Sequence, residues 1–254
     1  MASARSSVAK PPEPRGRVGF DVTAGPRRAV LFDVGGPLDQ ETAFEQRIDG
    51  VILAALAAEG CRLDPGAYDR LCGAAVASFA PNLYEAVVWS ALGGDRDACG
   101  RAMVAVAGRM AADPPAFELR PGMADLLAGL HGRGVRLGLV ANQPASALER
   151  LAAGGLAPYF DHFAVSGTNG FRKPDVRAFL AAATALAVAP AECVMVGDRI
   201  DNDIAPARLL GMAAVRLRTG RHAGQRPRSL REVPDADVAD VPGLALAIDR
   251  LLAG

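Results

Sequence analysis

Four short stretches carry the most distinctive chemistry in the chain: FDVGGPL (32–38), LVANQ (139–143), RKPD (172–175) and GDRIDND (197–203). Their reactive groups are the carboxylates of Asp33, Asp198 and Asp203, the ammonium of Lys173 and the amide of Asn142. Acidic oxygens can hold a hard divalent cation such as Mg2+, and a lysine beside that cation neutralises a phosphate-like group. A carboxylate not consumed by the cation is free to attack. Gly35 and Gly36 would let the backbone after Asp33 turn sharply and come close to a ligand. Lys173 stands out because, with Lys10, it is one of only two lysines in an arginine-rich chain.

Taken singly, each residue also has a structural reading. Asp33 suits the cap of a strand or turn, Lys173 a solvated site ahead of a helix, and Asp198 a turn after a buried strand. Asp201, Asn202 and Asp203 suit a helix N-terminus. The four stretches in this order favour the chemical reading; Asp201 stays outside the candidate site.

A frame must bring these groups together. RAVLFDV, VRLGLVA (135–141), FAVS (163–166), CVMVG (193–197) and AAVRL (213–217) are apolar runs of strand length bounded by Gly, Asp or Asn. Helix-like segments between them open on Pro, Asp or Asn and close on Gly. Strands alternating with helices imply an α/β fold with a parallel sheet covered on both faces. In such sheets ligands bind beyond the carboxyl ends of the strands, where Asp33, Asn142 and Asp198 fall.

The alternation is interrupted by residues 40–118, which read as helices throughout and are too long for a loop. The expected organisation is therefore a disordered N-terminal tail (1–27), a Rossmann-like core (28–39 and 119–254) and an inserted all-helical cap domain (40–118). The polar stretch RTGRHAGQRPRSLREVPD, 218–235, reads as a surface loop, and one short strand and a helix close the chain.

Lys+Arg and Asp+Glu balance at 28 each, so no global field favours nucleic acid or an anionic membrane. Cys61, Cys72, Cys99 and Cys193 are too scattered for a disulfide framework or a zinc site. Without an apolar leader or a membrane-length apolar run, a cytoplasmic protein acting on a small molecule is expected. Oligomeric state is left open.

In combination the four motifs resemble the haloacid dehalogenase-like (HAD) hydrolase superfamily, from about Arg28 to the C-terminus, and the cap inserted after the first strand matches as well. The resemblance implies that Asp33 is a nucleophile forming an aspartyl-enzyme intermediate and also a metal ligand. It implies that Asp198 and the backbone carbonyl of Gly35 bind Mg2+, that Asp203 supports the metal or its waters, and that Lys173 steadies the nucleophile and the transferring group. Asn142 would offer its backbone amide to a phosphorylated substrate.

The chain departs from the family's phosphatase pattern at three positions. Gly35 replaces the second aspartate, which moves protons; Pro37 replaces a threonine; Ala141 replaces a hydroxyl residue. Loss of a general acid/base is worth roughly 10²- to 10⁴-fold in rate. Glu41 or Glu45, at the start of the cap, could replace the missing proton donor. Phosphatase chemistry on a small phosphorylated metabolite is the leading expectation. A dehalogenase-like hydrolase and a binding or regulatory protein with weakened catalysis are the alternatives. Phe44, Arg47, Tyr84 and Trp89 could face substrate but suit a core as well. His131, His162 and His222 show no ligand spacing, and a surface or structural role is expected for each.

Overall fold

The computed structural model describes residues 26–254. Residues 1–25, nearly all of the expected tail, lie outside the described residues. The chain runs through β1 (Ala29–Phe32), then four helices, α1 (Thr42–Ala58), α2 (Pro65–Ala77), α3 (Leu83–Ala91) and α4 (Arg96–Ala112). It continues through α5 (Met123–Gly132), β2 (Arg136–Ala141), α6 (Ala147–Ala153), β3 (His162–Val165), the single turn α7 (Ser166–Asn169) and α8 (Val176–Ala185). The last elements are β4 (Cys193–Gly197), α9 (Ala205–Leu209), β5 (Ala213–Leu217), β6 (Ala236–Val238) and α10 (Val241–Ala253).

All strand pairs are parallel and the sheet order is β3-β2-β1-β4-β5-β6. β1 is central and wholly buried. Its side chains alternate between two cores, as a strand's period of two demands. Val30 and Phe32 pack with Leu127 of α5, Leu151 of α6 and Leu244 of α10, whereas Ala29 and Leu31 pack with Phe179 of α8 and Ala207 of α9. Strand order reverses at β1, because the chain first builds outward through β2 and β3 and then crosses to β4. The ends of β1, β2 and β4 therefore flank a topological switch point.

Several helices begin where a short polar side chain satisfies a free backbone N–H group. Asp64 caps α2 ahead of Pro65, Asn82 caps α3, Asp95 caps α4 and Asp240 caps α10 ahead of Pro242. Helices α1 to α4 pack on one another through a separate core that includes Ile52, Leu56, Tyr68, Val87, Val88 and Val106. The architecture is thus a Rossmann-like parallel sheet with an inserted helical cap. No helix among the described residues is long and apolar enough to cross a membrane.

Two stretches differ from expectation. The helix expected from Asn202 begins instead as one π turn, Ile200–Ile204, before α9. Such turns are rare and concentrate at functional sites. Stretch 218–235 is only partly a surface loop: 226–231 are exposed, but the preceding turn Arg221–Gly224 folds back onto the sheet. Arg216, buried on β5, is the reason. Its guanidinium donates to the carbonyls of Asp198, His222, Ala223 and Gln225, and the Gln225 side chain accepts from the Ile200 N–H. Polar residues satisfied in pairs need no solvent.

Arg216→Met would leave these four carbonyls without their donor. Urea unfolding should show a stability loss of about 2–4 kcal/mol, and a loss below roughly 1 kcal/mol would sink this account of the loop.

Candidate active site

Asp33 is the first residue beyond β1, and its carboxylate is held at both oxygens. Oδ1 accepts from the Val34 N–H at 2.7 Å, and Oδ2 lies 2.8 Å from Lys173 Nζ. The same ammonium donates to Asp203 Oδ1 at 2.6 Å, and Asp203 Oδ2 accepts from the Arg199 N–H at 3.0 Å. Lys173 thus bridges a carboxylate from the end of β1 and one from the π turn after β4.

Lys173 reaches this position because Asn142, one residue past β2, clamps its backbone. The Asn142 side chain accepts from the Lys173 N–H at 2.8 Å and donates to its carbonyl at 2.9 Å. Asp203 comes close because β4 ends on glycine: a Cβ at Gly197 would overlap the Asp203 carboxyl group.

Asp198, at the end of β4, is only 4% exposed, and its carboxylate has no hydrogen-bond or ion-pair partner among the described residues. Ligand oxygens of Asp33, Asp198 and Asp203 all lie within 4.8 Å of one another. Burial, then Asp203, Asp33 and Glu41, push the Asp198 carboxyl well above the usual carboxylate range. Burial opposes the charge on Lys173, but Asp203 and Asp33 outweigh it and hold the ammonium charged. An all-oxygen acidic set with one member unpartnered suits a hard divalent cation.

These groups open onto a cavity of about 410 Å³, lined by Asp33, Gly35, Asn142, Lys173 and Asp198 from the core and by Tyr84 and Glu45 from the cap, among others. The structure therefore brings together the candidate residues of the four motifs, Asp33, Gly35, Asn142, Lys173, Asp198 and Asp203, with Asp203 lying behind Lys173 rather than in the cavity wall. Asp201 is engaged elsewhere, paired with Arg199 at 2.6 Å. Phe44 and Tyr84 line the cavity, whereas Arg47 pairs with Asp113 and Trp89 is exposed. Gly36 adopts the left-handed φ of +79°, so the sharp turn sits there and not at Gly35.

Several residues at this site were not anticipated. Asp39 accepts from the N–H groups of Glu41 and Glu118, each at 3.1 Å, joining the outgoing and returning chains at the cap. Arg120 donates to the Gly36 carbonyl and to Thr219. Arg221 crosses from the core to the cap, paired with Asp49 and lying 5.8 Å over the Tyr84 ring. The nearest sequence signal was for Glu41, whose buried carboxyl is pushed up to about 8 by burial and then by Asp33, Asp39 and Glu45.

His222 departs from the expected surface or structural role in that it also lines the cavity. Burial, followed by the charge of Arg199, moves its imidazole down to about 4.

A parallel sheet whose switch point carries an acidic cluster beneath a helical cap defines an α/β enzyme core. The model of the haloacid dehalogenase-like hydrolase family matches residues 27–211, and the chain belongs to that family. It is 37% identical to the glyceraldehyde 3-phosphate phosphatase of Methanopyrus kandleri over 134 residues, covering 52% of this chain and 57% of that protein. It is 38% identical to the phosphoserine phosphatase of Thermus thermophilus over 132 residues, covering 52% and 51% respectively. The chain thus spans about half the length of these curated relatives. The crystal structure of a predicted phosphoglycolate phosphatase from Haemophilus somnus shares the fold, with a TM-score of 0.67 at 20% identity over 84% of this chain and 94% of that one.

Lys173→Met leaves two carboxylates facing each other without their shared cation, so chemical unfolding at neutral pH should show a loss of about 3–5 kcal/mol. A loss under about 1 kcal/mol would contradict the bridge.

For His222, a neutral folded form with its pKa near 4 against 6.5 unfolded means that the unfolded state binds the extra proton. Its contribution is fully present above pH 6.5 and fades as pH falls towards about 4. Melting temperatures of His222→Gln should therefore decline less steeply than wild type across that window, and parallel curves would refute the assignment.

Proposed function

We propose that the protein is a Mg2+-dependent phosphatase acting on small phosphorylated metabolites, with Asp33 as the nucleophile. The observation that carries this reading is Asp198, a buried carboxylate without a partner among the described residues, facing Asp33 and Asp203 in one acidic cluster. The phosphatase names of the two relatives above support the same chemistry.

Asp33, Asp198 and the Gly35 carbonyl are the groups that would hold the metal. Asp203, with both oxygens already accepting from Lys173 and Arg199, would support it from behind. When bound, Mg2+ supplies positive charge to the transferring phosphoryl oxygens and offsets the crowded carboxylates.

The remaining steps belong to the chain's own residues. Lys173 and the Val34 N–H hold the Asp33 carboxylate in one orientation, so little reorganisation accompanies attack. A carboxylate oxygen of Asp33 bonds to phosphorus while the ester P–O bond breaks, and the alcohol leaves with a proton. Water then adds to the phosphorus of the aspartyl phosphate, the bond to Asp33 breaks, and inorganic phosphate departs. Lys173 neutralises the phosphoryl group throughout, and the backbone amide of Asn142 is offered to it. Ala141 provides no hydroxyl for this purpose, so the cationic lysine carries more of that task.

The test is a panel of sugar phosphates, aryl phosphates and 2-haloacids with wild type, Asp33→Asn and Asp198→Asn. Phosphate release should require Mg2+, vanish with EDTA and fall at least roughly 10³-fold in Asp33→Asn. Asp198→Asn should raise the Mg2+ concentration for half-maximal rate by roughly 10-fold or more. EDTA-insensitive halide release, with no phosphate release, would replace this reading with attack on carbon.

A further inference from the structure

Breaking a phosphate ester of an aliphatic alcohol requires a proton for the leaving oxygen, and the water that clears the aspartyl phosphate must lose one. The family position for that task is glycine here. Of the protonatable side chains around the cavity, most are committed. Lys173 bridges Asp33 and Asp203, and Asp198 belongs to the acidic cluster. Glu45 accepts from the Arg221 N–H at 3.1 Å. His222, whose Nδ1 is buried without a hydrogen-bond partner among the described residues, is held neutral by burial and then by the charge of Arg199, so it has no proton to give near neutral pH. Two groups remain: the Tyr84 phenol, which burial moves still further from titrating near neutrality and so keeps from acting as a base, and Glu41, which lines the cavity with no hydrogen bond to its carboxyl group among the described residues.

Its position is specific. A Cβ built on Gly35 would lie 2.5 Å from Glu41 Oε1, 3.0 Å from Cδ and 3.3 Å from Oε2. The carboxyl of Glu41 therefore fills the space that a side chain two residues after the nucleophile would occupy. Its backbone is set for this: Glu41 is a non-glycine residue in the left-handed region, at φ 60°, with its N–H bonded to Asp39 Oδ1. That conformation is uncommon for residues with a side chain and persists where the surroundings impose it.

We propose that Glu41 is the catalytic acid and base of this enzyme, its carboxyl delivered from the cap hinge into the gap at Gly35. The inference rests on the phosphatase reading and deepens it. Protonated Glu41 gives its proton to the departing alkoxide as the ester P–O bond breaks. The resulting carboxylate takes a proton from the water that attacks the aspartyl phosphate, so each turnover restores the starting state. On this account glycine at 35 is the residue that leaves room for a donor reaching in from elsewhere.

The experiment uses the full-length protein with Mg2+ and compares an alkyl phosphate with p-nitrophenyl phosphate, whose leaving group needs little protonation. Glu41→Gln should lower kcat on the alkyl phosphate by about 10²- to 10⁴-fold. On p-nitrophenyl phosphate it should give a burst of nitrophenolate stoichiometric with enzyme, followed by slow turnover as the aspartyl phosphate accumulates. Gly35→Asp alone should impair the enzyme, because the two carboxyl groups compete for one space. Gly35→Asp combined with Glu41→Gly, which accepts the left-handed backbone, should recover at least roughly tenfold over Glu41→Gly alone.

Thermal melts of each variant separate chemistry from folding. An active wild type with Glu41→Gln within threefold of it on both substrates would overturn this inference alone. So would an equal loss on both substrates without a burst and without rescue by the double variant, which marks a purely structural residue. A wild type that releases no phosphate from any substrate overturns the phosphatase reading and this inference with it.

Discussion

One buried ammonium organises the centre of the molecule. Lys173 stands between a carboxylate at the end of β1 and one from the π turn beyond β4, and its own placement depends on Asn142 at the end of β2. Burying three such charges is expensive, and their mutual attraction repays it only where the geometry is good and the remaining lone pairs are used. Here they are used: Val34 and Arg199 donate backbone N–H groups to the far oxygens of Asp33 and Asp203. The glycine ending β4 and the π turn after it serve the same end, admitting the Asp203 carboxyl against the strand.

The cap is tied to this centre by polar contacts, while its own helices cohere through an apolar core. Asp39 couples the chain leaving the sheet to the chain returning, and Arg120 secures the turn at Gly36. Across the cavity, Arg221 reaches Asp49 and the Tyr84 ring, and Arg199 reaches the Ala80 carbonyl. Such partly hydrated contacts are individually modest, so the two bodies are joined more weakly than each is packed within itself.

The sheet and the acidic cluster were legible in the amino-acid sequence because both depend on local signals. Five apolar runs bounded by turn residues became β1 to β5, and the short strand expected near the C-terminus became β6. Asp33, Asn142 and Asp198 each follow immediately on a strand, so locating the strands located them. What stayed hidden depends on contacts distant in the chain. Arg216 and Gln225 are polar residues that composition places in solvent, yet mutual hydrogen bonds let them be buried. His222 borders the cavity because Arg216 pulls its loop inward. Glu41 was visible as a nearby carboxylate, but its entry into the space at Gly35 depends on a left-handed backbone that no glycine or asparagine announces.

The seat of Glu41 has an evolutionary consequence. Where all reacting groups sit on the sheet, a cap can diverge, or be exchanged between relatives, and alter only which molecules are admitted. In this chain a carboxyl group touching the turn at Gly35 is carried by the residue that opens α1, and its placement is shared with the returning chain through Asp39. Modularity is thereby reduced: drift in the hinge length or in the first turn of the cap alters the floor of the cavity as well as its lid. Lineages with this arrangement should accept new cap surfaces readily but hold the segment from Asp39 to Glu41 nearly fixed.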